Sequence, residues 1–284
     1  MRPSVGFDPR TSSRTGRSFL FAIGAWGLAV LRSWGGVART TAEAIASAGT
    51  PGLSASDVVK RVVFAQIYFT GAQALGVLSA VALFLGATII VQMALLAPGI
   101  GGDMMGRILV TVVLREVAPL GTAFLLAGRS GTAIATELGS MRADQEVLAL
   151  ASLGIDPPRY LVLPRLIGMV VSTLTLMAYF IVVGIAGGYI VAHLFTAPSF
   201  DALRAGVAQA LVPADALLYV VKGLGLGAII GSVCAHFGLR VRVSPTEVPQ
   251  QASRAVMWTL LLVVIYDSVC TIVFYALVGS PLQL

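Results

Sequence analysis

Charge is scarce in this sequence. Only 11% of the 284 residues are Asp, Glu, Lys or Arg, where a soluble domain carries roughly 25%. That shortage excludes a water-soluble core, because so little polar surface cannot cover so much apolar volume. Cysteine and histidine are rarer still, with two of each. Cys234 and Cys270 both lie in apolar runs and form neither a metal pattern nor a disulfide framework. His193 and His236 sit at the ends of apolar runs, far apart in sequence. They read as interfacial side chains rather than as a metal or proton-relay pair. No GxxxxGK[ST] phosphate loop is present, so the chain does not hydrolyse ATP by that route. No HExxH, no GxSxG and no paired intramembrane aspartates occur, which argues against an intramembrane enzyme.

What the chain has is hydrophobic residues, 57% of the total, with a mean hydropathy of +0.91. The apolar runs are long and continuous rather than alternating, so they read as membrane-spanning helices and not as a barrel. Five spans are expected, at about 67–96, 108–126, within 166–192, 216–235 and 255–278. Residues 1–16 are polar and basic and read as a flexible tail. Residues 17–52 read as a helix lying in the membrane interface, with Trp26, Trp34, Arg32 and Arg39 among apolar residues, ended by Pro51-Gly52. The apolar run Phe19–Leu31 is short for a span and lacks a small-residue cleavage site, so no cleavable signal peptide is expected. Residues 53–284 then form the transmembrane domain. The fold class expected is an all-α integral membrane protein, with an N-terminal interfacial helix, about five transmembrane helices and a cytoplasmic helix between the second and third.

Lys and Arg counts orient the spans. Eight precede the first span (Arg2, Arg10, Arg14, Arg17, Arg32, Arg39, Lys60, Arg61). Four lie around the segment after the second (Arg129, Arg142, Arg159, Arg165), and three follow the fourth (Arg240, Arg242, Arg254). The two opposite loops have one each, Arg107 and Arg204. The N-terminus is therefore expected in the cytoplasm and the C-terminus outside. The net charge of +6 follows from this topology and needs no nucleic acid to explain it.

Between two oily runs stands the charged stretch ATELGSMRADQEVLALASLGIDPPRYLVLPR, Ala135 to Arg165. Residues 132–152 read as helix, Gly154 as its cap and Asp156-Pro157-Pro158 as a turn. Glu137, Arg142, Asp144 and Glu146 give it a polar surface; Leu138, Met141, Leu148 and Leu150 give it apolar knobs. Physically this suits either a docking element for another protein or a solvated connector.

Four ionisable residues fall inside apolar runs: Arg115, Glu116, Lys222 and Asp267. A charge at the middle of a spanning helix costs roughly 2.5–3.5 kcal/mol on insertion scales, so each is expected to pair or to face an aqueous cavity. Arg115 and Glu116 point about 100° apart on a helix, so each needs its own partner. Gly223, Gly227 and Gly231 form a stripe at spacing four, repeated at Gly184 and Gly188, which favours close helix packing.

The segment LLAGRSGTAIATELGSMRADQEVLALASLGIDPPRYLVLPR resembles the signature region of the MlaE/YrbE family of ABC-transporter permeases. The resemblance rests on Gly128, Arg129, Gly131, Ala133, Glu137, Gly139, Met141, Arg142, Gly154, Asp156, Pro157, Pro164 and Arg165. One departure is Asp144-Gln145, which shifts the acid by one place and leaves Glu146 following. LREVAP at 114–119, Lys222, and Asp267 within IYDSVCTIVFY extend the resemblance over about 58–280. It implies a homodimeric permease working with two cytoplasmic ABC ATPase subunits, which carry the ATP and Mg; no cofactor is expected in this chain. It also implies an MCE-domain substrate-binding protein on the outer face, a phospholipid or related lipid as substrate, and the bacterial inner membrane as location. The coupling helix is then expected at about 132–155, with Arg129, Glu137, Met141, Arg142, Asp144 and Glu146 at the ATPase contact. Arg115 and Glu116, supported by Lys222 and Asp267, are expected as a polar patch near the outer end of a lipid cavity. Leu75, Leu78, Leu83 and Phe84 are candidates for its acyl-chain wall, or else face lipid. An ion-coupled secondary transporter is the alternative; it calls for internal repeats, and none is evident.

Overall fold

The structure is a computed structural model that describes residues 55–96, 102–195, 200–242 and 244–278, with Arg39, Thr41, Ala42 and Ala46. The tail and most of the expected interfacial helix lie outside the described residues. Five described helices are long and apolar enough to cross a membrane: Lys60–Met93, Gly106–Ala143, Pro158–Ile190, Pro213–Leu239 and Pro245–Val278. Their number and order match the hydrophobic runs. Among the described residues there is helix and no strand, as expected where a lipid-facing backbone must satisfy its own hydrogen bonds.

The elements are named here in chain order. The first span joins α1 (Ala55–Thr70) to α2 (Leu75–Leu96) through a tight turn at Ala72–Ala74. The second joins α3 (Gly102–Leu109), a π-helical stretch at Val110–Val117, α4 (Ala118–Leu126), a second π-helical stretch at Ala127–Gly131, and α5 (Thr132–Ala143). Then come the short α6 (Glu146–Ser152), the third span with α7 (Leu163–Phe195), an outer helix α8 (Phe200–Ala210), α9 (Pro213–Leu239) and α10 (Val248–Val278).

The first span lies along the third, and the fourth packs on the third, second and fifth. In the apolar stretch of the fourth span 56% of residues are buried, against 22% in the fifth, so the fourth is the central post and the fifth is open on one side. Small residues set the spacing. A Cβ on Gly227 would stand 2.6 Å from the Val170 Cα, and one on Gly231 would stand 3.3 Å from the Leu166 Cα. Gly86 and Gly184 meet backbone to backbone where α2 crosses α7. The glycine stripes read from the sequence are the seams where helices touch.

The helix expected over 132–152 is two helices. The second span runs on through the charged stretch to Ala143, 38 residues in all, about 57 Å at 1.5 Å per residue, well beyond a hydrocarbon core of roughly 30 Å. Gln145, with φ 62°, then breaks the path before α6. Asp144 and Gln145 carry short-range turn geometry that the helical periodicity on either side conceals. Gly154, at φ 77°, ends α6, with the Ile155 N–H donating to the Leu150 carbonyl at 3.0 Å, the glycine cap expected there.

Candidate functional site

The charges inside the spans converge. Arg115 sits at the end of the π-helical stretch and is 2% exposed. Its Nε and Nη2 donate to the two carboxylate oxygens of Asp215 at 2.8 and 3.2 Å, a two-pronged fit of guanidinium to carboxylate. Its Cζ stands 5.0 Å from the centre of the Phe274 ring and 5.8 Å from that of Tyr275, an arrangement that stabilises a desolvated cation.

Four residues on, Pro119 has no N–H, so the Arg115 carbonyl loses its α-helical partner. Lys222 replaces it: its Nζ donates to the Arg115 carbonyl at 2.6 Å and to the Thr271 Oγ1 at 2.8 Å. The same Nζ lies 2.8 Å from the Asp267 carboxylate and 3.6 Å from that of Glu116. Thr271, one turn after Asp267, donates in turn to Glu116 at 2.8 Å. The expectation that Arg115 and Glu116 would each find a separate partner therefore holds in the geometry.

The sequence reading starts the fourth span at about 216, leaves Asp215 just outside it and misses its role. It is 3% exposed and occupies the first turn of α9, where it also accepts the Val212 N–H at 2.9 Å. A signal is present: Pro213 followed by an acid two residues later is a helix start, and an anion there is favoured by the helix dipole. Thr271 is also missed, because a lone threonine in an apolar run carries no signal of its own. The network thus holds two cations and three carboxylates. Arg115, Lys222, Asp215 and Asp267 have almost no solvent contact, while the Glu116 side chain is 34% exposed.

Beside the network, an apolar groove of about 320 Å³ runs between the fourth and fifth spans, walled by Leu217, Val221, Val269, Val273, Phe274 and Leu277. Phe274 belongs to both, with its ring against Arg115. A chain-like apolar group can lie in such a groove while the partly open carboxylate of Glu116 remains nearby.

The four apolar candidates on the first span do not share one surface. Leu78 is fully buried in the helix-packing core, while Leu75, Leu83 and Phe84 are 36%, 40% and 69% exposed.

The charged middle segment is similarly divided. Glu137 pairs with Arg165 at 2.8 Å, which ties the second span to the third. Arg129 donates to the Phe69 carbonyl and to the Gln73 side chain at 2.9 and 2.8 Å, stacking over the Phe69 ring. It thereby secures the turn between α1 and α2. Met141 is half-buried against the core, and Leu138 is fully buried. Arg142, Asp144 and Glu146 are exposed. The large apolar side chains most exposed there are Leu148 and Leu153, 61% and 74%, followed by Ile155 at 38%. The sequence reading names the first but not the second.

Comparison with known proteins fits this architecture. The family described as Permease MlaE matches residues 63–273. The chain is 29% identical over 221 residues to the chloroplastic protein TRIGALACTOSYLDIACYLGLYCEROL 1 of Arabidopsis thaliana, covering 77% of this chain and 63% of that one. It is 27% identical over 211 residues to a probable ABC transporter permease protein of Rickettsia prowazekii, covering 74% and 82%. Over 127 residues, 44% of this chain and 49% of the other, it is 32% identical to the intermembrane phospholipid transport system permease protein MlaE of Haemophilus influenzae.

Proposed function

Because the chain belongs to the MlaE permease family of ABC transporters, we propose that it is the membrane subunit of a machine that moves phospholipid or a related lipid between membranes, driven by a separate ATPase. The observation that carries this reading is the pairing of two features on one helical path. At one end of the second span, Arg115 and Glu116 enter a buried charge network beside an apolar groove. At the other, the same helix runs past any bilayer and turns into the short, exposed α6. A partner that pulls on α6 acts on a helix whose far end holds the polar residues nearest the groove.

In this reading α6 and the end of α5 meet the ATPase through Met141, Arg142, Asp144, Glu146 and the apolar Leu153, while ATP and Mg are held by that partner. Arg129 and Glu137 contribute by bracing the spans behind the contact. Glu116 stands where a lipid headgroup meets the network, and Arg115, Lys222 and Asp267 hold it in place. A second copy of the chain covers the open side of the fifth span, and an MCE-domain protein that binds the lipid sits on the outer face. In the same reading the N-terminus is cytoplasmic and the membrane is the bacterial inner membrane; the arginine distribution supports the first and the bacterial relatives support the second.

The test is co-expression with an ABC ATPase from the same organism, followed by purification and extraction of bound lipid. Wild type is expected to retain both ATPase and lipid. Glu146→Lys with Leu153→Glu is expected to lose the ATPase and keep the lipid. If wild type purifies without either, an ion-coupled carrier becomes the better reading.

A further inference from the structure

The charge network holds one carboxylate more than its cations neutralise. Arg115 engages both oxygens of Asp215. The Lys222 ammonium has three protons to donate, and its three shortest contacts are the Arg115 carbonyl at 2.6 Å and the Thr271 hydroxyl and Asp267 carboxylate at 2.8 Å each. Glu116 stands farther from Lys222, at 3.6 Å, beyond hydrogen-bond distance. Its hydrogen bond comes from a neutral donor, Thr271, at 2.8 Å. Glu116 is therefore the carboxylate without a cation of its own.

The rest of the chain does not supply one. In the loops that flank this end of the spans, the sequence has two basic residues, Arg107 and Arg204. Arg107 precedes Glu116 by nine positions, roughly 14 Å along a helix, and donates to Gln209 at 2.7 Å. Arg204 is exposed on α8. A second copy of the chain brings the same residues and so the same deficit. Glu116 lies about 15 Å into the second span, counted from Gly106, half the thickness of a hydrocarbon core. A carboxylate at that depth is costly without a counter-charge. Yet the Glu116 side chain is 34% exposed, while those of Lys222 and Asp267 are 1% and 2% exposed. The unmatched anion is the open one.

A counter-cation from outside the chain meets one carboxylate and one hydroxyl there. A hard metal ion calls for about six oxygens. A primary ammonium needs only the one carboxylate for a charge-assisted hydrogen bond. The apolar groove for a chain-like group is close by: Phe274 on its wall lies against Arg115, and Cys270 on its wall precedes Thr271.

We propose that Glu116 receives the ammonium of a lipid headgroup, so that the permease favours phospholipids bearing a primary amine over those without one. This inference rests on the transport reading above and adds the chemistry of its substrate.

The test is native mass spectrometry of the chain purified with its ATPase, titrated with dioleoyl phosphatidylethanolamine and with its N-acetylated form, which lacks the positive charge. Wild type is expected to favour the free amine by about tenfold or more, the scale of one hydrogen bond to a charged group. Glu116→Gln, which keeps the size of the side chain and an oxygen for Thr271, is expected to bind both lipids alike. Lipid held elsewhere on the surface contributes equally to both proteins and cancels in the comparison. The proposal is overturned if wild type shows no preference, which would make a proton the counter-charge of Glu116, or if the Gln variant keeps the preference. Wild type that binds both lipids equally overturns this inference and leaves the transport reading standing, whereas wild type that binds neither overturns both.

Discussion

Arg115 shows how one residue can be chemically costly and structurally settled. Its guanidinium is buried, yet it has a carboxylate, two aromatic rings and a carbonyl at 3.4 Å around it. Removing one partner of such a pair strands the other charge, which costs roughly 3–5 kcal/mol. Asp215→Asn is therefore expected to lower stability by about that amount, read as the midpoint of unfolding in detergent. Lys222→Met should be comparably damaging, because it strands Asp267 and leaves the Arg115 carbonyl without its donor. Adding Asp267→Asn to Lys222→Met should recover a large part of the loss, since no buried anion then remains unpaired. If the double variant is as unstable as the two single losses added together, the coupling read from the 2.8 Å contact is absent.

The residue scale also marks the limit of reading charges from sequence. Arg115, Glu116, Lys222 and Asp267 are visible because they interrupt apolar runs, and the need for separate partners follows from helix geometry. Which cation takes which carboxylate is not visible. Asp215 stands 100 positions from Arg115 in sequence, and only the packing of the second span against the start of the fourth brings them together.

At the scale of elements, glycine decides where helices can meet. Gly227→Ala places a methyl against the Val170 backbone, which cannot yield as a side chain can. A loss of about 1–3 kcal/mol is expected, again as a lowered unfolding midpoint. Gly76 and Gly128 have open space where a Cβ would go. Alanine at either should leave stability unchanged or raise it by up to about 1 kcal/mol, the entropic cost of a helical glycine. The resemblance to the family motif includes Gly128, but packing within this chain does not explain a glycine there.

The break before α6 is likewise an element-scale feature. A non-glycine residue at φ 62° is strained by roughly 1 kcal/mol. Gln145→Gly is expected to preserve or modestly raise stability, whereas Gln145→Val should lower it and misplace α6. ATPase co-purification separates the two effects, because the glycine variant keeps the turn that the valine variant opposes. The sequence pattern suggests one helix here because hydrophobic periodicity continues across Asp144-Gln145. A single left-handed residue changes direction without disturbing that periodicity.

For the whole molecule, the arginine asymmetry predicts one orientation. In a background of Cys234→Ala and Cys270→Ala, a cysteine at exposed Arg204 should react with a membrane-impermeant thiol reagent in intact cells. A cysteine at exposed Leu148 should react only after permeabilisation. Reversal of that pattern would place α6 on the side away from any cytoplasmic ATPase and end the coupling reading.

Composition and the order of apolar runs determined much by themselves: an all-helical membrane protein, five spans, the glycine seams and the residues that must be paired. These follow because hydrophobicity, helix period and the cost of an intramembrane charge act locally along a chain in lipid. Tertiary structure alone decided the rest. It brought Asp215 to Arg115 and set Lys222 between Asp267, Thr271 and a carbonyl orphaned by Pro119. It sent Leu78 inward while leaving Phe84 outside. Each of these depends on which helix lies beside which and at what rotation, a choice made by close packing between segments distant in sequence.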